Sequence, residues 1–203
     1  MMKGSIYRGG SLQTVALAAL LHVGGLMLPG ATRSARAETA APSEYSIKAA
    51  FLYKFLFFLT WPEVDQADTD PVVLGIVGKD PFDDAFEGVE NKPCGPGNRI
   101  LHIRRMGPYH ASQGLADCHL LFICDSDKAA VPEVLKRIAG RPVLSIAEHP
   151  GFLEAGGMVN LVIRDRKVRW EINQTAIQRA GLRAQAQLLR NAVRVVEPRG
   201  DER

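Results

Sequence analysis

A stretch near the C-terminus, "VRWEINQTAIQRAGL" (residues 168–182), gathers Arg169, Glu171, Asn173 and Arg179 among apolar neighbours. A carboxylate, an amide and two guanidinium groups supply both signs of charge and both hydrogen-bonding senses, which is what a pocket for a small polar ligand needs. The same residues also read as plain structure. On a strand, Trp170 and Ile172 face one side and Arg169, Glu171 and Asn173 the other. Asn173 then suits the N-cap of a helix over 174–180, and Gly181 its left-handed C′ position. Glu171 has Arg179 or the neighbours of Arg169 as candidate partners, and such a pair could still line a groove. The four residues are carried forward as a candidate ligand site.

Other chemistry is weaker. "LGIVGKDPF" (residues 74–82) places Gly-Lys between a strand and a helix, yet the phosphate loop needs G-x-x-x-x-G-K-[ST]. Here Gly75 and Gly78 stand too close, and Asp83 and Asp84 would repel a phosphate. His102, His110, His119 and His149 are scattered, with no H-x-x-x-H or C-x-x-C spacing. Ser145 lacks a glycine-flanked elbow. "RGD" at 199–201 is a three-letter coincidence. The sequon "NQT" at 173–175 falls on a strand–helix junction rather than an exposed loop. No catalytic residue, metal site or cofactor is predicted.

The elements that must position these residues follow from periodicity. "SEYSIKAAFLYKFLFFLTWPE" predicts a helix with Ser43 as N-cap, ended by Pro62. Ile47, Phe51, Phe55 and Phe58 form one stripe and Leu52, Leu56 and Leu59 the next; Tyr53, Phe57 and Trp61 carry the apolar surface further round. A helix apolar on most sides needs cover on most sides, so Phe51, Tyr53, Phe57, Phe58 and Trp61 are candidates for a partner-binding face. Strands are predicted in "PVVLGIVG", "RILHIRR", "CHLLFICD" and "RPVLSIAE", and a hairpin in "MVNLVIRDRKVRWEIN" turning at 165–167. Helices are predicted in "KDPFDDAFEGV" (from Asp80, closed by Gly88), in "DKAAVPEVLKRIAG", in "QTAIQRAGL" and in "RAQAQLLRNAVRVV". The fold class is therefore α/β: a mixed sheet of about five or six strands flanked by helices, in one compact domain.

The first residues look like an export signal. Lys3 and Arg8 precede an uncharged apolar run from Leu12 to Leu28, and "SARA" offers an A-x-A site, which predicts a signal peptide over 1–37 cut after Ala37. A membrane anchor is the competing reading, but the run is shorter than the usual span. Residues 38–43 read as a linker, 44–196 as the domain and 197–203 as a polar tail. Residues 1–37 hold four basic residues and no acid, which leaves 21 basic against 22 acidic residues beyond them. The basic balance belongs to the leader, so nucleic acid is not an expected partner. Export also puts three cysteines in an oxidising compartment. Cys118 and Cys124 flank one strand, roughly 20 Å apart, too far to bond. Any bridge within the chain then uses Cys94, and Cys94–Cys118 is the expected pair; three reduced thiols are the alternative.

Taken in order, "EYSIKAAFLYKFLFFLTWPE", "VLGIVGKDPFDDAFEG", "ADCHLLFIC", "VLSIAEHPGFLEAGGMVNLVI" and "KVRWEINQTAIQRAGLRAQAQLLRNA" resemble the YfiR-like periplasmic proteins over nearly all of the chain beyond the leader. Trp170 stands where that family has an aromatic before "EIN", whereas the position near Ala184–Ala186, often serine in the family, is not serine here. The resemblance implies a periplasmic regulator, homodimeric, that binds the periplasmic sensor domain of an inner-membrane diguanylate cyclase and holds it inactive, lowering cyclic di-GMP and restraining biofilm formation. It also implies a redox role for cysteines, which three thiols fit poorly. Two other readings stand beside it: a periplasmic small-molecule binder serving another envelope signalling or uptake system, and a hydrolase whose groups meet only in space.

Overall fold

A computed structural model of the chain describes residues 42–62, 70–95 and 99–197. The predicted leader, its cut after Ala37 and nearly all of the linker and tail lie outside these residues. Helix α1 (Glu44–Phe58) starts where Ser43 accepts a hydrogen bond from the Ser46 N–H. Ala49, Leu52, Phe55 and Leu56 recur at three- and four-residue spacing and form its buried stripe. The helix stops at Phe58, four residues before Pro62, because the chain turns extended at Leu59 to form strand β1 (Leu59–Thr60).

The central sheet is built from β2 (Val72–Val77), β3 (Pro93–Cys94), β4 (Arg99–Gly107), β5 (Leu120–Ile123), β6 (Leu144–Ala147), β7 (Val159–Arg164), β8 (Lys167–Asn173) and β10 (Arg194–Val196). Its order is β10-β8-β7-β6-β5-β2-β4-β3. The pairs β4–β2–β5–β6–β7 are parallel, and the β7–β8 hairpin and edge strand β3 are antiparallel. The eight-stranded sheet exceeds the five or six strands expected; the surplus comes from two- and three-residue edge strands, too short for a periodic signal. A separate two-stranded sheet pairs β1 with β9 (Arg183–Ala184). Central strands β2, β5 and β6 are buried at every position, as their largely apolar runs imply; Ser145 of β6, the one polar residue among them, accepts from the Met158 N–H.

Helices α2 (Val131–Arg137), α3 (Gln174–Arg179) and α4 (Ala186–Arg190) are short. Side chains on the α1 face of the sheet, including Leu74, Ile76, Phe122, Ile146, Leu161 and Trp170, form one core; Val73, Val77, Leu121, Ile123 and Ala147 form a second with α2. Among the described residues, no helix is long and apolar enough to cross a membrane.

Two predicted helices are absent. Residues 80–90 form successive turns: Asp83 takes a positive φ of 45°, which no right-handed helix accommodates, and Asp80 accepts from the Phe82 N–H instead of starting a helix. Phe82 and Phe86 are nevertheless core residues. The stretch read as one helix over 183–196 is strand, one-and-a-half-turn helix and strand, because β9 and β10 find partners in β1 and β8 that outweigh local helix propensity.

Candidate functional site

In a doubly wound sheet the usual binding crevice opens where strand order reverses, at the carboxyl ends of the strands. Here that point lies between β2 and β5, and the chain fills it. The Lys79 N–H donates to Ser126 Oγ at 2.8 Å, and the Tyr109 N–H donates to Asp127 Oδ1 at 2.8 Å. Gly78 (φ 105°) lies so close that a Cβ there would stand 2.6 Å from Ser126 Oγ and 2.8 Å from the Cys124 Cβ. The crevice is sealed by its own two loops.

An open concavity lies against the second half of α1. Phe51, Phe55, Phe57 and Phe58 form one wall, Trp170 of β8 the floor, and Leu188 of α4 the far wall; its volume is about 320 Å³. Lys54, Gln187 and Asn191 make a polar rim. Three contacts fix its shape. The Trp170 ring stands edge-on to Phe51 and Phe55, at 5.0 and 5.6 Å between centroids. Its indole N–H donates to the Leu188 carbonyl at 3.1 Å, tying α4 to the sheet. Gln185 closes the end of α1: its side-chain amide donates to the Phe57 carbonyl and its backbone N–H to the Phe58 carbonyl, both at 2.9 Å. Carbonyls left over at a helix end are thereby satisfied by the residue that begins α4.

The five aromatic residues singled out on α1 divide. Phe57 is 43 % exposed, and Phe51 and Phe58 are half-buried along the groove. Trp61 is only 8 % exposed and donates its indole N–H to the Pro142 carbonyl, so it is a core residue and not part of an outer face. Tyr53 stacks edge-on with Phe57 and donates its hydroxyl to the Pro93 carbonyl, which fastens α1 to the sheet edge.

The candidate ligand set does not converge. Glu171 is buried and takes Arg194 of β10 as its partner, at 3.4 Å, rather than Arg179. Asn160 also donates to it at 3.4 Å. Arg194 bonds Glu154 at 2.8 Å, and that hydrogen bond holds the Glu154 carboxyl below the usual range. Asn173 is the α3 cap: it accepts from the Ala176 N–H and donates to the Leu153 carbonyl. Gly181 follows at φ 75°. Arg169 and Arg179 are exposed. The structural reading of the motif therefore holds for Asn173 and Gly181, and Glu171 serves an ion pair between strands.

Two features escaped the sequence. The far wall on α4 was hidden inside a stretch read as one long helix. Lys48, a charged residue within the apolar α1, is 4 % exposed and ion-paired with Glu44 and with Glu148, just beyond β6. Tyr45 donates its hydroxyl to the same Glu148 at 3.0 Å. Burial works against the Lys48 charge, but the hydrogen bonds it donates to Glu148 and Glu44 outweigh it and its pKa is raised. The only prior signal was a lysine at a core-facing position.

All three cysteines are buried free thiols. The expected Cys94–Cys118 bond is absent, and the topology explains why: Cys94 packs in the α1-side core and Cys118 in the opposite one, against Gly75 of β2. Burial pushes Cys94 and Cys118 up to about 11 and Cys124 up to about 12. Among the described residues, no group of three His, Cys, Asp or Glu side chains could hold a metal ion.

The sequence model of the family described as YfiR/HmsC-like matches residues 45–193, which takes in α1, the whole sheet up to β8, and α4. The chain belongs to the YfiR/HmsC-like family.

Proposed function

We propose that this chain is an exported, non-enzymatic periplasmic regulator that binds the periplasmic sensor domain of an inner-membrane diguanylate cyclase and holds it inactive. Family membership supports a regulator of this kind. The observation that carries the docking surface is the open apolar groove of Phe51, Phe57, Phe58 and Trp170 beside the core. An aromatic-lined concavity with a thin polar rim is the composition of interface centres. The filled crevice at the sheet reversal and the divergent Arg169, Glu171 and Arg179 favour binding over catalysis.

Deleting the gene raises cellular cyclic di-GMP, and the intact gene restores the low level. Phe57→Asp restores nothing while the protein accumulates normally. Unchanged cyclic di-GMP in the deletion strain, or full rescue by Phe57→Asp, overturns the reading. The same proposal includes a homodimer, read by analytical ultracentrifugation, and cleavage after Ala37, read as a mature N-terminus at Glu38.

The groove volume also sits at the small end of ligand pockets, roughly 300–1,000 Å³. A second reading is therefore a small apolar ligand in the same groove. A thermal-shift screen of periplasmic metabolites tests it: a hit that raises the Tm of the intact protein but not of Phe57→Asp supports it, and no hit removes it.

A further inference from the structure

The end of the β7–β8 hairpin carries a charge arrangement that the fold does not need. Arg164 and Lys167 are direct cross-strand partners, and Arg169 sits opposite Val162, two pairs further in. The three alternate onto the same face of the ribbon, so their Cβ atoms lie within roughly 5–8 Å of each other. Like charges placed directly opposite destabilise a hairpin. All three are exposed, and none has an ion pair among the described residues. Arg166 adds a fourth cation at the tip. The turn itself holds Asp165 and Arg166 at φ 49° and 57°, the backbone of a tight two-residue connection, here made without glycine. The opposite face of the same end presents Ile163, 49 % exposed and paired with Val168.

We infer that the end of this hairpin docks end-on against an anionic phospholipid surface, with Arg164, Arg166, Lys167 and Arg169 on headgroup phosphates and Ile163 at the acyl boundary. Several unpaired cations and one aliphatic side chain at the same depth suit a bilayer interface, where phosphate and hydrocarbon lie within a few ångströms. An enclosed site for one free anion would need walls and buried donors, and this ribbon end has neither. Charge balance points the same way. Residues 38–203 carry one more acid than base, so the hairpin cations, with Asp165 the one carboxylate among them, would orient the molecule on a negative surface rather than bind it by net charge.

The test is co-sedimentation of the mature protein with vesicles of phosphatidylglycerol and phosphatidylcholine, against vesicles of phosphatidylcholine alone. Binding is expected to the anionic vesicles only, and to weaken in high salt. R164Q/K167Q/R169Q should bind on the order of a hundredfold more weakly, since each cation near such a surface counts for about fivefold. The control K79Q/K136Q/R141Q removes equal charge from exposed positions elsewhere and should bind like the unaltered protein. No binding of the unaltered protein to anionic vesicles overturns the inference, and so does an equal loss in the control. Phe57→Asp should leave vesicle binding unchanged, which separates this surface from the groove.

Discussion

The two ends of α1 are fastened to the sheet by different physics. At the first turn, Lys48 is buried between Glu44 and Glu148, and Tyr45 completes the cluster. At the last two turns, Phe55 and Leu56 enter the core, while Phe51, Phe57 and Phe58 stay on an open groove and only Gln185 closes the helix end. At the locked end a buried charge depends on its partners. The open end carries more aromatic surface than packing demands, and such surplus marks an interaction site.

Phe55 and Phe57, two residues apart, break this comparison most directly. Phe55→Ala should destabilise by about 3–5 kcal/mol, as for other buried phenylalanines, in urea denaturation. Phe57→Ala at its exposed position should stay within about 0.5 kcal/mol, while weakening the proposed partner contact severalfold or more. Equal stability losses at both positions would erase the distinction between core wall and groove wall.

At the locked end, Glu148→Ala leaves Lys48 buried with only the half-exposed Glu44, and should cost about 3 kcal/mol. Adding Lys48→Met to Glu148→Gln should recover most of the loss, because no unpaired charge then remains buried. A double variant no better than the single one would show that the cluster acts by packing alone.

A smaller effect separates the thiols from a redox role. All three have pKa values raised by burial, so the unfolded chain loses thiol protons near pH 9 while the folded chain keeps them to about pH 11. Their contribution to stability is fully present below pH 9 and is lost as pH rises through the folded values. Lys48, with its pKa also raised, adds in the same direction. Tm should therefore fall between pH 9 and pH 11, and reductant at pH 7 should leave it unchanged. A drop in Tm on adding reductant would reveal a bridge.

Smallest of all, Lys167→Gln relieves the like-charge pair with Arg164 and should raise stability by a few tenths of a kcal/mol, visible as a slight rise in urea midpoint.

How much of this was legible depends on how far apart in the chain the causes lie. Ser43 and Asn173 act on N–H groups three residues away, and Gly181 follows the helix it ends, so their roles were readable. The β7–β8 hairpin and the buried runs of β2, β5 and β6 carried period and composition over at least four residues. Edge strands of two or three residues carry no such signal, which is why the sheet came out larger than expected and why β9 and β10 passed for helix. The half-turned segment after Asp80 failed for another reason: one residue at φ 45° vetoes a helix that every neighbour would accept.

The sequence by itself determined which residues repeat on a face, that Ser43 and Asn173 begin helices, and that α1 is apolar beyond what one contact surface requires, because these are properties of neighbours along the chain. Only the tertiary structure decided that Glu148 neutralises Lys48, that Arg194 rather than Arg179 answers Glu171, and that Trp170 floors a groove between α1 and α4. Those outcomes follow from which strands lie side by side. Strand order is set by burial and backbone pairing summed over the whole sheet, and no local spacing encodes it.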